Sequence, residues 1–250
     1  MRHTNILLRK GYLVYAIVTA MQLLSKDYLE GSPIVANNRM NRERNAIGVN
    51  SYERDIWLSP IEYLAAVSRQ KTCIRWLDIC CGRAKALIQV AQHFKKQFPD
   101  KHYHLIGIDL VDMYDPIPAD VRTVSLTTES FFNFKTTQKF DLITCVHGLH
   151  YLGDKLAAIQ KACSLLTPDG TFIANLDILN IKSLAQEDFH KDMAKWLQCN
   201  GIQYNKKRHV ITVNGVRSLT IPFKYFGADD QAGPNYTGQE VVDSYYEQRT

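Results

Sequence analysis

The chain has 250 residues, a length that points to one large domain around a single core and away from a repeat array or a disulfide miniprotein. Hydrophobic residues make up 46% and charged residues 22%, too apolar for an intrinsically disordered chain. Thirty Lys and Arg against 25 Asp and Glu leave a net charge of +5, too little to mark a nucleic-acid binder by charge alone.

The N-terminus carries Arg2, Arg9 and Lys10 before an uncharged stretch from Gly11 to Leu24, a pattern that mimics a secretory signal. The stretch is shorter than the roughly 20 apolar residues of an ordinary membrane span, so no membrane association is expected, and a packed helix is favoured over a cleaved signal. Met21 is an alternative start. The six cysteines include the adjacent pair Cys80-Cys81 but no Cys-x-x-Cys with matching partners. Neither a metal site nor a disulfide framework is therefore expected, and the compartment reads as reducing and cytoplasmic. The basic runs 39–44 and 206–208 read as solvated surface.

Residues 30–53 are polar and irregular and read as a loop or lid. Ser59-Pro60-Ile61-Glu62 has the form of a capped helix start, predicting a helix from Pro60 to Gln70. Apolar runs and amphipathic segments then alternate. Strands are expected over 74–79, 103–108, 121–126, 140–146 and 171–176, with helices over 84–97, 154–166 and 183–200. Asn214-Gly215, between strand-like runs 208–213 and 216–223, predicts a closing hairpin whose last strand is antiparallel. The implied architecture is a three-layer α/β fold, a mostly parallel seven-stranded sheet covered on both faces and ending in an antiparallel hairpin. Three parts follow: an N-terminal helix and lid (1–58), the core (59–226) and a turn-rich C-terminal extension (227–250) whose paired Tyr245 and Tyr246 suggest a docked end.

Leu77-Asp78-Ile79-Cys80-Cys81-Gly82-Arg83-Ala84 ends a strand with an acid and enters a helix through small residues, which allow close approach of backbone to ligand. Asp109 ends the next strand, where a carboxylate can accept from ribose hydroxyls. Two acids at successive strand ends suit a ligand with an amino group and a ribose and repel a pyrophosphate. Here the sequence resembles the class I methyltransferases that use S-adenosylmethionine. Asp78 fits the acid of their first motif and Gly82 its middle glycine, while Cys80 and Ala84 replace the outer two glycines; both are small enough to keep the loop tight, but Cys80 resists positive φ, which predicts a shifted loop. The resemblance implies a three-layer Rossmann-like methyltransferase fold over about residues 60–225, S-adenosylmethionine as cofactor, Asp109 as the ribose acid, and Glu129 and Ser130 near adenine. Residues 140–152 look like the family's fourth motif, and Leu166 to Gly170 like its turn before strand five.

Methyl transfer asks mainly for alignment, and for a base only where the acceptor must lose a proton. His147 and His150 flank Gly148-Leu149 directly after the fourth strand, at the sheet edge where open α/β folds bind ligands, with Tyr151 next to them; His150 is the preferred base. The alternative is that both are polar loop histidines that merely cap the next helix. Arg42, Asn50, Tyr52 and Tyr151 are candidate lid or substrate residues, unless Tyr52 simply packs before the helix. The expected function is methyl transfer to a small-molecule acceptor, with nucleic acid disfavoured as partner. An RNA methyltransferase, a nicotinamide oxidoreductase and a non-catalytic cofactor-binding module are the alternatives, the oxidoreductase weakened by its missing glycines.

Overall fold

The computed structural model describes residues 23–37 and 43–249. The expected N-terminal helix or signal over residues 1–20 and the candidate Arg42 lie outside the described residues. In chain order the elements are α1 (Lys26–Glu30), α2 (Pro33–Asn37), α3 (Tyr52–Ile56), α4 (Pro60–Ser68), β1 (Cys73–Ile79), α5 (Lys85–Gln97), β2 (His102–Asp109), β3 (Val124–Thr128), β4 (Phe140–Cys145), α6 (Lys155–Ser164), β5 (Leu166–Asn175), β6 (Ile181–Ser183), α7 (Phe189–Cys199), β7 (Gln203–Asn205), β8 (Val210–Asn214), β9 (Phe223–Asp229) and β10 (Asp243–Gln248).

The strands with continuous apolar runs are the buried ones, because a parallel sheet covered on both faces exposes neither side chain of its alternation. All six residues of β4 are buried. The main sheet has the order β3-β2-β1-β4-β5-β8-β7. Its first five strands pair in parallel, and β8 alone runs against its neighbours β5 and β7. Helices α4 and α5 fill one face, where Leu64, Leu87, Val90 and Phe94 pack on Trp76, Leu105 and Leu142. On the other face α6 and α7 bury Leu156, Ile159, Met193 and Trp196 against Leu77, Ile143 and Phe172.

Helix starts follow local chemistry. Ser59 Oγ accepts from Glu62 N at 3.3 Å with Pro60 in the first turn of α4, and Asp154 Oδ1 accepts from Ala157 N at 3.1 Å at the start of α6. On α5, the buried residues Leu87, Val90, Ala91 and Phe94 recur at helical spacing.

Four expectations need correction. The antiparallel hairpin is made by β7 and β8 around residues 206–209, whereas Asn214-Gly215 ends β8 and turns away, with Gly215 N donating to Gly170 O at 2.7 Å. Gly215 takes φ +78°, and a Cβ there would stand 2.7 Å from Pro168 O, so the glycine serves a close approach to the turn before β5. The expected helix 183–200 begins only at Phe189, because Ile181–Ser183 forms β6. Residues 30–53, read as irregular, contain α2 and the start of α3. Finally, a second sheet of order β6-β10-β9 lies beside the main one, and β9 runs across residue 226, where the core was expected to end. Tyr246 in β10 is 1% exposed, so the C-terminal segment is part of the packed molecule.

No helix among the described residues is long and apolar enough to cross a membrane.

Candidate active site

Strands β1, β2, β4 and β5 end side by side at Ile79, Asp109, Cys145 and Asn175, and the candidate residues gather along that edge. The loop after β1 turns through three left-handed residues, Cys80 at φ 58°, Gly82 at 57° and Ala84 at 61°. Cys80, expected to resist positive φ, adopts it, and so does Ala84, in the conformation where a glycine is usual. Each such residue stores on the order of 1–2 kcal/mol of strain, which the surrounding packing must hold. Asp109 provides one restraint, its Oδ2 accepting from Gly82 N at 2.9 Å while its Oδ1 accepts from Val111 N at 3.1 Å. Close packing of the next loop provides another. A Cβ at Gly148 would meet Cys80 Cβ at 2.6 Å and Cys145 Sγ at 2.7 Å.

The two acids differ. Asp78 is fully buried, one oxygen accepting from Tyr52 Oη at 2.7 Å and the other from Thr144 Oγ1 at 2.5 Å, and Thr144 in turn accepts from Trp76 Nε1 at 2.8 Å. Burial pushes its carboxyl up to about 7, against the two hydrogen bonds that favour the ion. Its position is that of a group fixing the loop from behind. Asp109, at the end of β2, is 6% exposed, and each of its carboxylate oxygens accepts from a loop amide, Gly82 N or Val111 N. Glu129 follows β3, its N donating to Asp109 O at 3.0 Å, and the hydroxyl of Ser130 donates to Glu30 of α1.

Helix α3 ties the cofactor loop to the histidines. Tyr52 and Asp55, three residues apart, lie on one helix face; the first holds Asp78, and Asp55 Oδ2 lies 3.2 Å from His147 Nε2 and also pairs with Arg44. Asp55's own burial works against ionisation, but the contacts with His147 and Arg44 hold its carboxyl below the ordinary value. Asn175, ending β5, accepts from His147 N at 3.1 Å and donates to Asp55 O at 3.2 Å. His147 takes φ 57°, and burial lowers its basicity despite Asp55. His150 is completely buried, and burial, with His147 next to it, drops its basicity far further. Its Nε2 lies 3.4 Å from Tyr236 Oη in the C-terminal segment, and the Tyr236 ring stacks on His209 at 3.8 Å and 8°.

Among the remaining candidates, Asn50 is exposed and donates to Glu43 O at 2.9 Å, in a loop that Glu43 anchors to Arg83 and Lys85. Tyr151 is half-buried and packs with Leu29, Val35 and Val242, away from the ring cluster. The residues that local sequence did not single out are Asp55, Thr144, Asn175, His209 and Tyr236. Only Asp55 carried a signal, its three-residue spacing from Tyr52. Among the described residues no cluster of His, Cys, Asp and Glu could hold a metal ion.

A mostly parallel sheet with one antiparallel strand, a left-handed loop after its first strand and an acid after its second define the Rossmann-like fold of class I methyltransferases, whose cofactor is S-adenosylmethionine. The chain belongs to the methyltransferase-domain family, which matches residues 49–214. It is 29% identical over 99 residues to the mitochondrial arginine-hydroxylase NDUFAF5 of Rattus norvegicus, a match over 39% of this chain and 27% of that protein. Among solved structures, a putative class I S-adenosylmethionine-dependent methyltransferase of Listeria monocytogenes has 14% identity and a TM-score of 0.44, covering 63% of this chain and 58% of its own. The plantazolicin methyltransferase BpumL, solved with a triazolic substrate analogue and S-adenosylhomocysteine, has 16% identity and a TM-score of 0.38, covering 61% of this chain and 53% of its own.

Proposed function

We propose that the protein is an S-adenosylmethionine-dependent methyltransferase acting on a small-molecule acceptor. The observation that carries the reading is the loop 80–84, held left-handed at Cys80, Gly82 and Ala84 beside Asp109, with the His147 segment packed directly against Cys80. Bound S-adenosylmethionine supplies a methyl group on a sulfonium already activated for displacement. Asp109 fits its ribose, the loop amides and small side chains fit close approach, and Glu129 and Ser130, which follow β3, are the residues this reading assigns to adenine. Asp78 positions the loop through Tyr52 and Thr144 rather than meeting the ligand itself.

His147 is the residue best placed to take an acceptor's proton. Asp55 against Nε2 favours the tautomer with its proton there, leaving Nδ1 as the base, and burial keeps the ring neutral at neutral pH. His150, preferred from sequence, is enclosed and becomes a support for the ring cluster in this reading. All six cysteines are free, which suits the reducing, cytoplasmic setting proposed here.

Calorimetry with S-adenosylhomocysteine tests the cofactor reading. Asp109→Asn should weaken binding by roughly ten- to a hundredfold, since a charge-assisted hydrogen bond contributes about 1.5–3 kcal/mol. Parent-like affinity in that variant would remove Asp109 from the site.

A further inference from the structure

Four rings run in series along the sheet edge beyond the cofactor loop. His147 and His150 have centroids 5.6 Å apart, His150 and Tyr236 5.6 Å, and Tyr236 and His209 3.8 Å. They come from three segments: the loop after β4, the turn between β7 and β8, and the chain between β9 and β10. Within this series the Nδ1 atoms of His147, His150 and His209 are all buried without a hydrogen-bond partner. Buried polar atoms without partners are uncommon, and three on adjoining rings point to a polar group that completes them. Tyr236 is 43% exposed as a residue, with one ring face covered by His209.

The charges nearby are spoken for. Asp55 is paired with Arg44 and His147, and Asp177 accepts from Leu179 N at 3.0 Å while its Oδ1 stands 3.8 Å from His209 Nδ1. A cationic amine would therefore have to share carboxylates that already face other partners. A carboxylate would want imidazolium partners, and burial disfavours that form at His147 and His150. A neutral imidazole offers one donor and one acceptor, the complement of a hydroxyl.

Resting on the methyltransferase reading above, we infer that the acceptor is an uncharged aromatic alcohol of the phenol type, with its hydroxyl among the histidines and its ring against Tyr236. In the transfer, a lone pair of the acceptor oxygen forms the new O–C bond as the C–S bond breaks and its electron pair returns to sulfur. The hydroxyl proton passes to His147 Nδ1 and from there to solvent. Tyr236 is thus a substrate-contacting residue supplied by the C-terminal segment.

The test uses the full chain, with calorimetry of S-adenosylhomocysteine first, then saturation-transfer NMR of phenol, benzylamine and benzoate in its presence. The expected result is cofactor-product binding and a preference for phenol over the other two probes of about fivefold or more. Tyr236→Ala should lower phenol affinity by about tenfold, and Tyr236→Phe, which keeps the ring, should retain most of it. Transfer of labelled methyl from S-adenosylmethionine to phenol should yield methyl phenyl ether. If S-adenosylhomocysteine binds but phenol is not preferred, or Tyr236→Ala binds phenol like the parent, the acceptor inference is overturned while the cofactor reading stands. Failure to bind S-adenosylhomocysteine overturns both.

Discussion

Asp78 matches a motif acid in sequence and has the surroundings of a structural carboxylate in the fold. In the sequence it is the acid of a nucleotide loop; in the fold it is sealed under Tyr52, with both oxygens occupied. Its carboxyl titrates at about 7 in the folded chain against an ordinary value of 3.8, because burial outweighs its hydrogen bonds. Between those values the folded state holds a proton that the unfolded state has released, so this group's contribution to stability declines as pH rises from 3.8 to about 7 and is constant above. Denaturant titrations of the parent and of Asp78→Asn across that window should show the parent losing ground to the variant, then a plateau. Equal slopes would mean that Asp78 titrates normally. Tyr52→Phe should cost about 1.5–3 kcal/mol above the plateau pH, where the lost bond is to an ion, and less at acid pH.

At the scale of elements, the loop after β1 and the loop after β4 are a matched pair. Gly148→Ala would drive a methyl into Cys80 Cβ at 2.6 Å, with Cys145 Sγ blocking the other side at 2.7 Å. S-adenosylhomocysteine affinity should fall by roughly tenfold or more as the loop shifts, with a stability loss of about 1–3 kcal/mol from overpacking. Cys80→Gly removes the colliding Cβ and the left-handed strain together. Alone, it should raise stability by up to about 1 kcal/mol; combined with Gly148→Ala, it should restore part of the lost affinity, the clash with Cys145 Sγ remaining. Additive losses in the double variant would show that the two loops do not compete for this space. The short helix α3 is the other coupling element, since Tyr52 and Asp55 link the cofactor loop to His147 across one turn.

For the whole molecule, the junction between the two sheets runs through Lys155. Its side chain is fully buried at the start of α6, and Nζ donates to Leu152 O at 3.0 Å, Val242 O at 2.8 Å and Ser244 Oγ at 2.8 Å. Burial pulls this amine down to about 7, while Asp243, Asp154 and Asp177 favour its charge. Lys155→Met would leave three buried acceptors without a donor and should destabilise the chain by about 3 kcal/mol or more, read as a lower denaturant midpoint. Amide exchange in β10 should accelerate more than in β4, because β10 loses one of its ties to α6 and keeps those of Tyr246 Oη to Leu156 N and Asp154. Uniform protection in both strands would place the junction elsewhere.

Sequence by itself determined the elements whose causes are local. The alternation of apolar strands with amphipathic helices, the cap at Ser59 and the small residues from Cys80 to Ala84 each act within a few positions, so the parallel core and the family could be read directly. The turn at Asn214-Gly215 misled because its glycine serves the approach to Pro168 rather than a hairpin, a contact between distant segments. The second sheet and the ring cluster were decided by tertiary structure alone. His150 meets Tyr236 across 86 positions and Lys155 meets Ser244 across 89, and no periodicity records such pairings. The burial that neutralises the histidines and protonates Asp78 has the same origin, since desolvation is set by everything packed around a group rather than by its neighbours in the chain.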